Sequence, residues 1–153
     1  MTKEEFIKYV YDNNRIRLTD DQFSGKEEIK YSLYLNGLTS LPEGFNPWVI
    51  GSLHLIDLVE IPENFTPFVS DHLDLQSLRK INIGFRPKVE SLFLDNLSEV
   101  PLWFNPEVKV LILGGLGDLP ENWNPFNVSS DIKINWDINI NFKMTLDFIN
   151  FQI

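Results

Sequence analysis

One pattern of about 20 residues is repeated five times between residues 33 and 131. Each copy begins with Leu-x-Leu, reaches a third apolar residue, and continues through a Pro-rich stretch with a large aromatic residue at its centre. Such a unit is too short to bury a core alone, so successive copies must stack as coils of a solenoid. The copies start at Leu33, Leu53, Leu73, Leu92 and Leu111, at spacings of 20, 20, 19 and 19 residues, with a degenerate sixth start at Ile132.

The prolines decide what the back of each coil can be. Two prolines five residues apart leave no room for an α-helix, because each disfavours the helical conformation at the residue before it. The Leu-x-Leu alternation predicts a short strand with both leucines inward. We therefore predict a repeat solenoid, mostly β, with short parallel strands on one face and a turn/extended, non-helical back. All nine prolines fall at two positions of the repeat: Pro42, Pro62, Pro101 and Pro120, and Pro47, Pro67, Pro87, Pro106 and Pro125.

The flanking segments read as caps of one domain spanning 1–153. In 1–32, the capping box Thr2-x-x-Glu5 predicts a helix over about 3–12 that covers the open end of the core. Leu18, Phe23 and Ile29 then resemble a degenerate half-repeat, with 24–28 as an exposed turn. In 132–153, alternating apolar residues predict a C-terminal β cap. The apolar tail 146–153 either folds back onto that cap or forms an edge that pairs with a second chain, so both monomer and dimer stay open.

Charge and composition narrow the functional classes. The net charge is −9, and residues 33–131 hold thirteen acids against five bases, hence −8 of it. Phosphate neutralisation needs a basic surface, so we expect no direct nucleic-acid binding. An acidic surface suits a basic partner or mimicry of nucleic acid, and it also serves solubility. The chain has no Cys. Without a signal-like N-terminus or a membrane-length apolar run, we expect a cytoplasmic protein and no membrane.

The repeat frame resembles a known family. Leu-x-Leu-x-x-Leu-x-x-Ile/Leu-Pro-x-x-Phe is similar to the short leucine-rich repeats of bacterial proteins, and Leu41-Pro42-Glu43-Gly44-Phe45-Asn46-Pro47 resembles repeat arrays of uncharacterised bacterial and phage proteins. The resemblance implies a horseshoe or straight solenoid whose strand face binds another protein, without enzymatic activity. One departure leaves the curvature open: leucines occupy the position where the family has Asn, so the usual asparagine ladder should be missing. These residues are Leu38, Leu58, Leu78 and Leu97.

If the strand leucines point inward, the residues beside and between them form three outward rows. Eighteen such positions of about 4.8 by 6.6 Å project to roughly 570 Å². With side-chain relief, that approaches the ~800 Å² which one partner contributes to a standard interface. Tyr34, Phe93, Ile56 and Ile112 are the anchors expected there. The predicted protein-binding face consists of Tyr34, Asn36, His54, Ile56, His72, Asp74, Gln76, Phe93, Asp95 and Ile112.

The same face raises two chemical alternatives. Ser52, His54, His72 and Asp74 would be row neighbours, which suggests a hydrolase or a metal site. Yet no nucleophile elbow or oxyanion loop accompanies the serine. Side chains on two neighbouring strands also do not converge closely enough to form a metal-ligand set readily. We therefore predict no enzyme, no cofactor and no metal. The first hypothesis is a protein-binding module, and the alternative is an acidic, nucleic-acid-mimicking inhibitor, such as a phage anti-defence protein, that occupies a basic site.

Overall fold

A computed structural model describes residues 1–125, 127–134 and 144–145. Two helices precede nine strands that all belong to one sheet. The elements are α1 (Lys3–Asn14), α2 (Asp20–Ser24), β1 (Glu28–Ile29), β2 (Leu33–Tyr34), β3 (Trp48–Val49), β4 (Leu53–His54), β5 (Phe68–Asp74), β6 (Lys88–Phe93), β7 (Glu107–Leu113), β8 (Val128–Ile134) and β9 (Met144–Thr145).

Each coil contributes two strand segments to the sheet, and in the later coils they merge into one strand. Among the leucine segments, β2 pairs in parallel with β4, and β4 pairs with the end of β5, so that Leu33, Leu53 and Leu73 lie side by side. Among the valine segments, β1 pairs with β3, and β3 pairs with the start of β5. From β5 to β8 a single strand spans both segments, and all pairs are parallel. The molecule is thus a parallel β-solenoid of about five turns, which confirms the predicted fold class.

The valine positions are a finding that the sequence did not predict. Val49, Val69, Val89 and Val108 lie outside the predicted Leu-x-Leu strands, but they pair in register as strand residues. Valine suits this role because its branched side chain favours an extended backbone and packs well against neighbours on a pleated surface. Each coil therefore presents two strand surfaces to solvent, one beside the leucines and one beside the valines.

Like side chains meet like along the core, as equal coil lengths require. The rings of Phe65 and Phe85 stack at 6.0 Å, and those of Phe85 and Phe104 at 5.8 Å, both nearly parallel. In the fifth coil Trp123 takes this position, and its indole N–H donates to the Phe104 carbonyl at 2.7 Å. A buried tryptophan needs such an acceptor, so the substitution is accommodated without an unpaired donor.

The prolines start single turns and not helices. Phe104 N–H donates to the Pro101 carbonyl at 2.9 Å, three residues back, and the same bond recurs between Phe45 and Pro42. The residue before the aromatic takes a left-handed conformation in three coils, at Gly44, Asn64 and Gly84. Glycine and asparagine tolerate that conformation best. The predicted turn/extended back is therefore confirmed.

Side-chain ladders to the backbone do exist, but at positions other than the one used by leucine-rich repeats. The leucines in the family's asparagine position, such as Leu38, are buried in the core. Asn46 Oδ1 instead accepts the Thr66 backbone N–H at 2.6 Å, and Asn105 Oδ1 accepts that of Asn127 at 3.0 Å. These asparagines stand directly before the second proline, where they tie each coil to the next.

Helix α1 covers the first coil as predicted. The capping box between Thr2 and Glu5 is formed, and the helix ends at Asn14, two residues later than predicted. Phe6 lies fully buried, with its ring 4.5 Å from that of Phe45. The Asn14 amide also takes the place of a neighbouring strand: its Oδ1 accepts the Tyr34 N–H at 2.7 Å, and its Nδ2 donates to the Tyr34 carbonyl at 3.0 Å. The edge of β2 is thereby closed.

The prediction for the N-terminal segment needs one revision, and much of the prediction for the C-terminal segment lies outside the described residues. A second short helix, α2, precedes the predicted turn, because Thr19 and Gln22 form another capping box. At the other end, β9 pairs antiparallel with β8. The rest of the predicted C-terminal cap and the tail 146–153 lie outside the described residues. Among the described helices, none combines the length and apolar character that crossing a membrane requires.

Candidate functional site

The register assembles the middle row of the predicted binding face. Tyr34, His54, Asp74, Phe93 and Ile112 lie opposite one another on consecutive strands. Tyr34, at 56% exposed, is the most accessible of them. Its ring stacks on the imidazole of His54 with centroids 4.7 Å apart and an interplanar angle of 5°. The two rings form a flat, exposed aromatic surface at the first coils.

Asp74 is the most constrained polar group of this row. It is 8% exposed, and its Oδ2 accepts a hydrogen bond from Gln76 Nε2 at 3.2 Å. The same oxygen lies 3.9 Å from His54 Nδ1, and Oδ1 has no hydrogen-bond partner. Burial raises the pKa of Asp74, because the charged form loses hydration, while the nearby His54 acts in the opposite direction. A buried, incompletely bonded carboxylate is costly, and such groups concentrate at functional sites.

A second polar pair lies beside the middle row. His72 Nε2 is 3.2 Å from Asp71 Oδ1, and its ring meets Phe93 edge-on at 5.8 Å. Its Nδ1 is buried without a partner. Asp71 was missed by the sequence analysis. It is the extra residue where the pairing of β5 and β6 shifts register, and the change of repeat length from 20 to 19 residues was the signal for it.

The geometry around Ser52 does not form a serine–histidine pair. Ser52 is buried, and its Oγ donates to Asp71 Oδ2 at 3.3 Å. A nucleophilic serine needs a base as its acceptor, and here the acceptor is a carboxylate that already contacts His72. Within the described residues, no three His, Asp or Glu side chains converge as metal ligands would.

One anchor of the face is corrected. Ile112 was expected to be exposed, but only 5% of it is accessible. It lies between Phe93 and Lys133 in the register of the sheet. The accessible part of the predicted face therefore shifts toward the first coils. There Tyr34 and Asn36 are exposed, whereas His54, Ile56, His72, Gln76, Phe93 and Asp95 are half-buried.

The surface beside the valines carries a different pattern, which the sequence analysis did not assign. Trp48 and Phe68 meet edge-on at 6.0 Å, and the Lys88 ammonium lies 5.9 Å from the Phe68 ring. Lys88 also pairs with Glu107 at 2.8 Å. Phe68, Lys88 and Glu107 help to line a shallow hollow of about 400 Å³. The charged side chains of the hollow pair with one another, so it offers fewer unpaired polar groups to a ligand than the leucine side does.

No protein-family model matches the chain, and neither the curated proteins nor the solved structures contain a match to it. Functional inference therefore rests on the geometry of the chain itself.

Proposed function

We propose that this protein is a non-enzymatic binding module that recognises another protein through the strand face around Tyr34, His54 and Asp74. The observation that carries the proposal is the stack of the exposed Tyr34 ring on the half-buried His54 imidazole, set beside a buried carboxylate with an unpaired oxygen. Aromatic side chains supply much contact area at low entropic cost, which is why they dominate protein interfaces.

The arrangement suits a protein ligand better than a small molecule. The accessible residues extend over several coils of the sheet, from Asn36 to Asp95. Small-molecule sites are concave and mostly apolar, whereas protein interfaces are flat with a polar rim. The resemblance to short leucine-rich repeats adds an analogy, since that family uses its strand face for protein recognition.

Affinity capture from cells that express the protein, followed by titration of the recovered partner, tests the proposal. We expect Tyr34→Ala to raise the Kd at least about tenfold, because truncating an aromatic anchor removes both packing and water exclusion. Trp48→Ala is the matched control, since it removes an exposed aromatic residue from the valine side. Equal binding by wild type and Tyr34→Ala, with loss in Trp48→Ala, would move the site to the other surface.

The acidic inhibitor is a second proposal with its own observation. Glu43, Glu63 and Glu121 are exposed at equivalent positions of three coils, and none belongs to an ion pair among the described residues. Arg79, Lys80 and Arg86 interrupt this acidic series in the third coil. Binding by such a series should weaken by more than about tenfold between 50 and 200 mM salt. Binding through the Tyr34 surface should change little, so the salt dependence separates the two proposals.

A further inference from the structure

The residue that follows the first proline position of the repeat can be compared between the five coils. It holds glutamate in the first, second and fifth coils, but isoleucine and leucine in the third and fourth. Ile83 is 81% exposed and Leu102 is 62% exposed, and the adjacent Trp103 is 44% exposed. Large apolar side chains grouped at the surface mark interaction sites more often than isolated ones do.

The two apolar coils are held in register across this surface. Ser98 Oγ donates to the Arg79 carbonyl at 3.0 Å at one end, and Phe85 stacks on Phe104 at 5.8 Å at the other. Both segments have the same length between these contacts. Three neighbouring pairs follow from the register, one from each coil: Lys80 with Glu99, Ile83 with Leu102, and Gly84 with Trp103.

We propose that this surface, defined by these six residues and called the turn patch, binds a second copy of the chain. The twofold axis of this dimer lies in the plane of the interface, between the third and fourth coils and parallel to them. Rotation about it exchanges these two coils and leaves each residue at the same position along its coil. Each residue then faces, in the other copy, the residue beside which it lies in its own chain. Ile83 meets Leu102, and the Trp103 indole meets the backbone at Gly84.

Charge complementarity selects the same axis. Lys80 of one copy faces Glu99 of the other, and the twofold symmetry forms this pair twice. An axis through the middle of the third coil would instead place Leu102 against Glu63, which buries a carboxylate against an apolar side chain. With the chosen axis, Glu63 faces Glu121 only at the rim, where water and salt screen the repulsion.

The contact is small, so the dimer should be weak and concentration-dependent. Sedimentation velocity of the full chain, up to about 1 mM, measures it directly. We expect a shift from the monomer mass of 17.8 kDa toward twice that value. Ile83→Glu restores the residue that three other coils carry at this position, so it should fold normally and raise the dimer Kd by about tenfold or more.

A charge-exchange series makes the test specific to the proposed axis. Lys80→Glu and Glu99→Lys should each weaken the dimer several-fold, and the double variant should restore it, because the exchange recreates both pairs. A wild-type chain that stays monomeric, or a dimer unaffected by Ile83→Glu, overturns the proposal. The latter result would point to another contact, such as the C-terminal edge. The Tyr34→Ala variant should dimerise like wild type, which separates this inference from the proposed function.

Discussion

Two side chains of the same turn show how differently the inside and the outside of the coils are constrained. Three residues after the first proline position the side chain enters the core, and it is a large aromatic in all five coils. Directly after that position the side chain lies in solvent, and it varies from Glu43 to Ile83 and Leu102. Inside, each residue must match the coils on both sides of it. Outside, the neighbouring coils do not fix the side chain in this way, so it can differ from coil to coil.

Phe85→Ala should have the largest effect, because Phe85 has a stacked ring on each side. We expect the free energy of unfolding to fall by about 3–5 kcal/mol, through lost burial and the cavity left behind. Guanidinium denaturation measures the change. Phe68→Ala is the control, since Phe68 is a half-buried aromatic on the valine side. If both variants lost the same stability, inside and outside would not differ as we describe.

Asn14→Ala should have the next largest effect, because it opens the capped edge of β2. Two backbone groups of Tyr34 would lose their hydrogen-bond partners, which costs about 1–3 kcal/mol. Denaturation gives the total, and hydrogen exchange should show faster exchange at the Tyr34 amide. Asn13→Ala is the control, because the Asn13 side chain bonds only within its helix, to the Tyr9 carbonyl.

Asp74→Asn should stabilise the protein on the order of 1 kcal/mol at pH 7, since the neutral amide avoids burying a charge. Burial raises the folded-state pKa of Asp74 above its unfolded value, so this group favours folding most at low pH. Its contribution is lost as pH rises from the unfolded pKa through the folded one. Denaturation between pH 4 and pH 8 should therefore show the two proteins converging at the acidic end. A constant difference across this range would contradict the assignment.

Lys88→Ala should change stability least, although Lys88 contacts both Phe68 and Glu107. Lys88 and Glu107 lie largely in water, where ion pairs contribute little. We expect the unfolding curve to overlay that of wild type, and comparison at low and high salt checks this. A clear loss of stability would show that the valine side is tied to the fold more tightly than its exposure indicates.

The interior of the solenoid was predictable because the same residue types recur in the sequence at the period of the coils. Leucine alternation, equal repeat length and the two proline positions together exclude helices from the back, and the stacked phenylalanines follow. The capping box of α1 was equally predictable, since the side chains of Thr2 and Glu5 each accept a hydrogen bond from the other's backbone N–H. In these places local chemistry and global stacking require the same residues.

The surface was less predictable, because exposure depends on neighbours that a single repeat does not reveal. Ile112 has the character of an anchor, but the structure buries it. The change in repeat length signalled an extra residue, and the register shift in the sheet showed where it lies, at Asp71. The second strand at the valines required knowing that the backbone stays extended there. The alignment of the row across the strands could therefore be predicted from the repeat, whereas the accessibility of each member came from the structure. That this row binds a partner stays a prediction.

The closed edge of β2 has a consequence for how these molecules behave when crowded. A bare strand edge on a stack of identical rungs is a template onto which another molecule can add, and repeated addition produces fibres. Asn14 occupies the hydrogen-bonding groups where such growth would begin. The Asn14 side chain thus blocks this growth at β2.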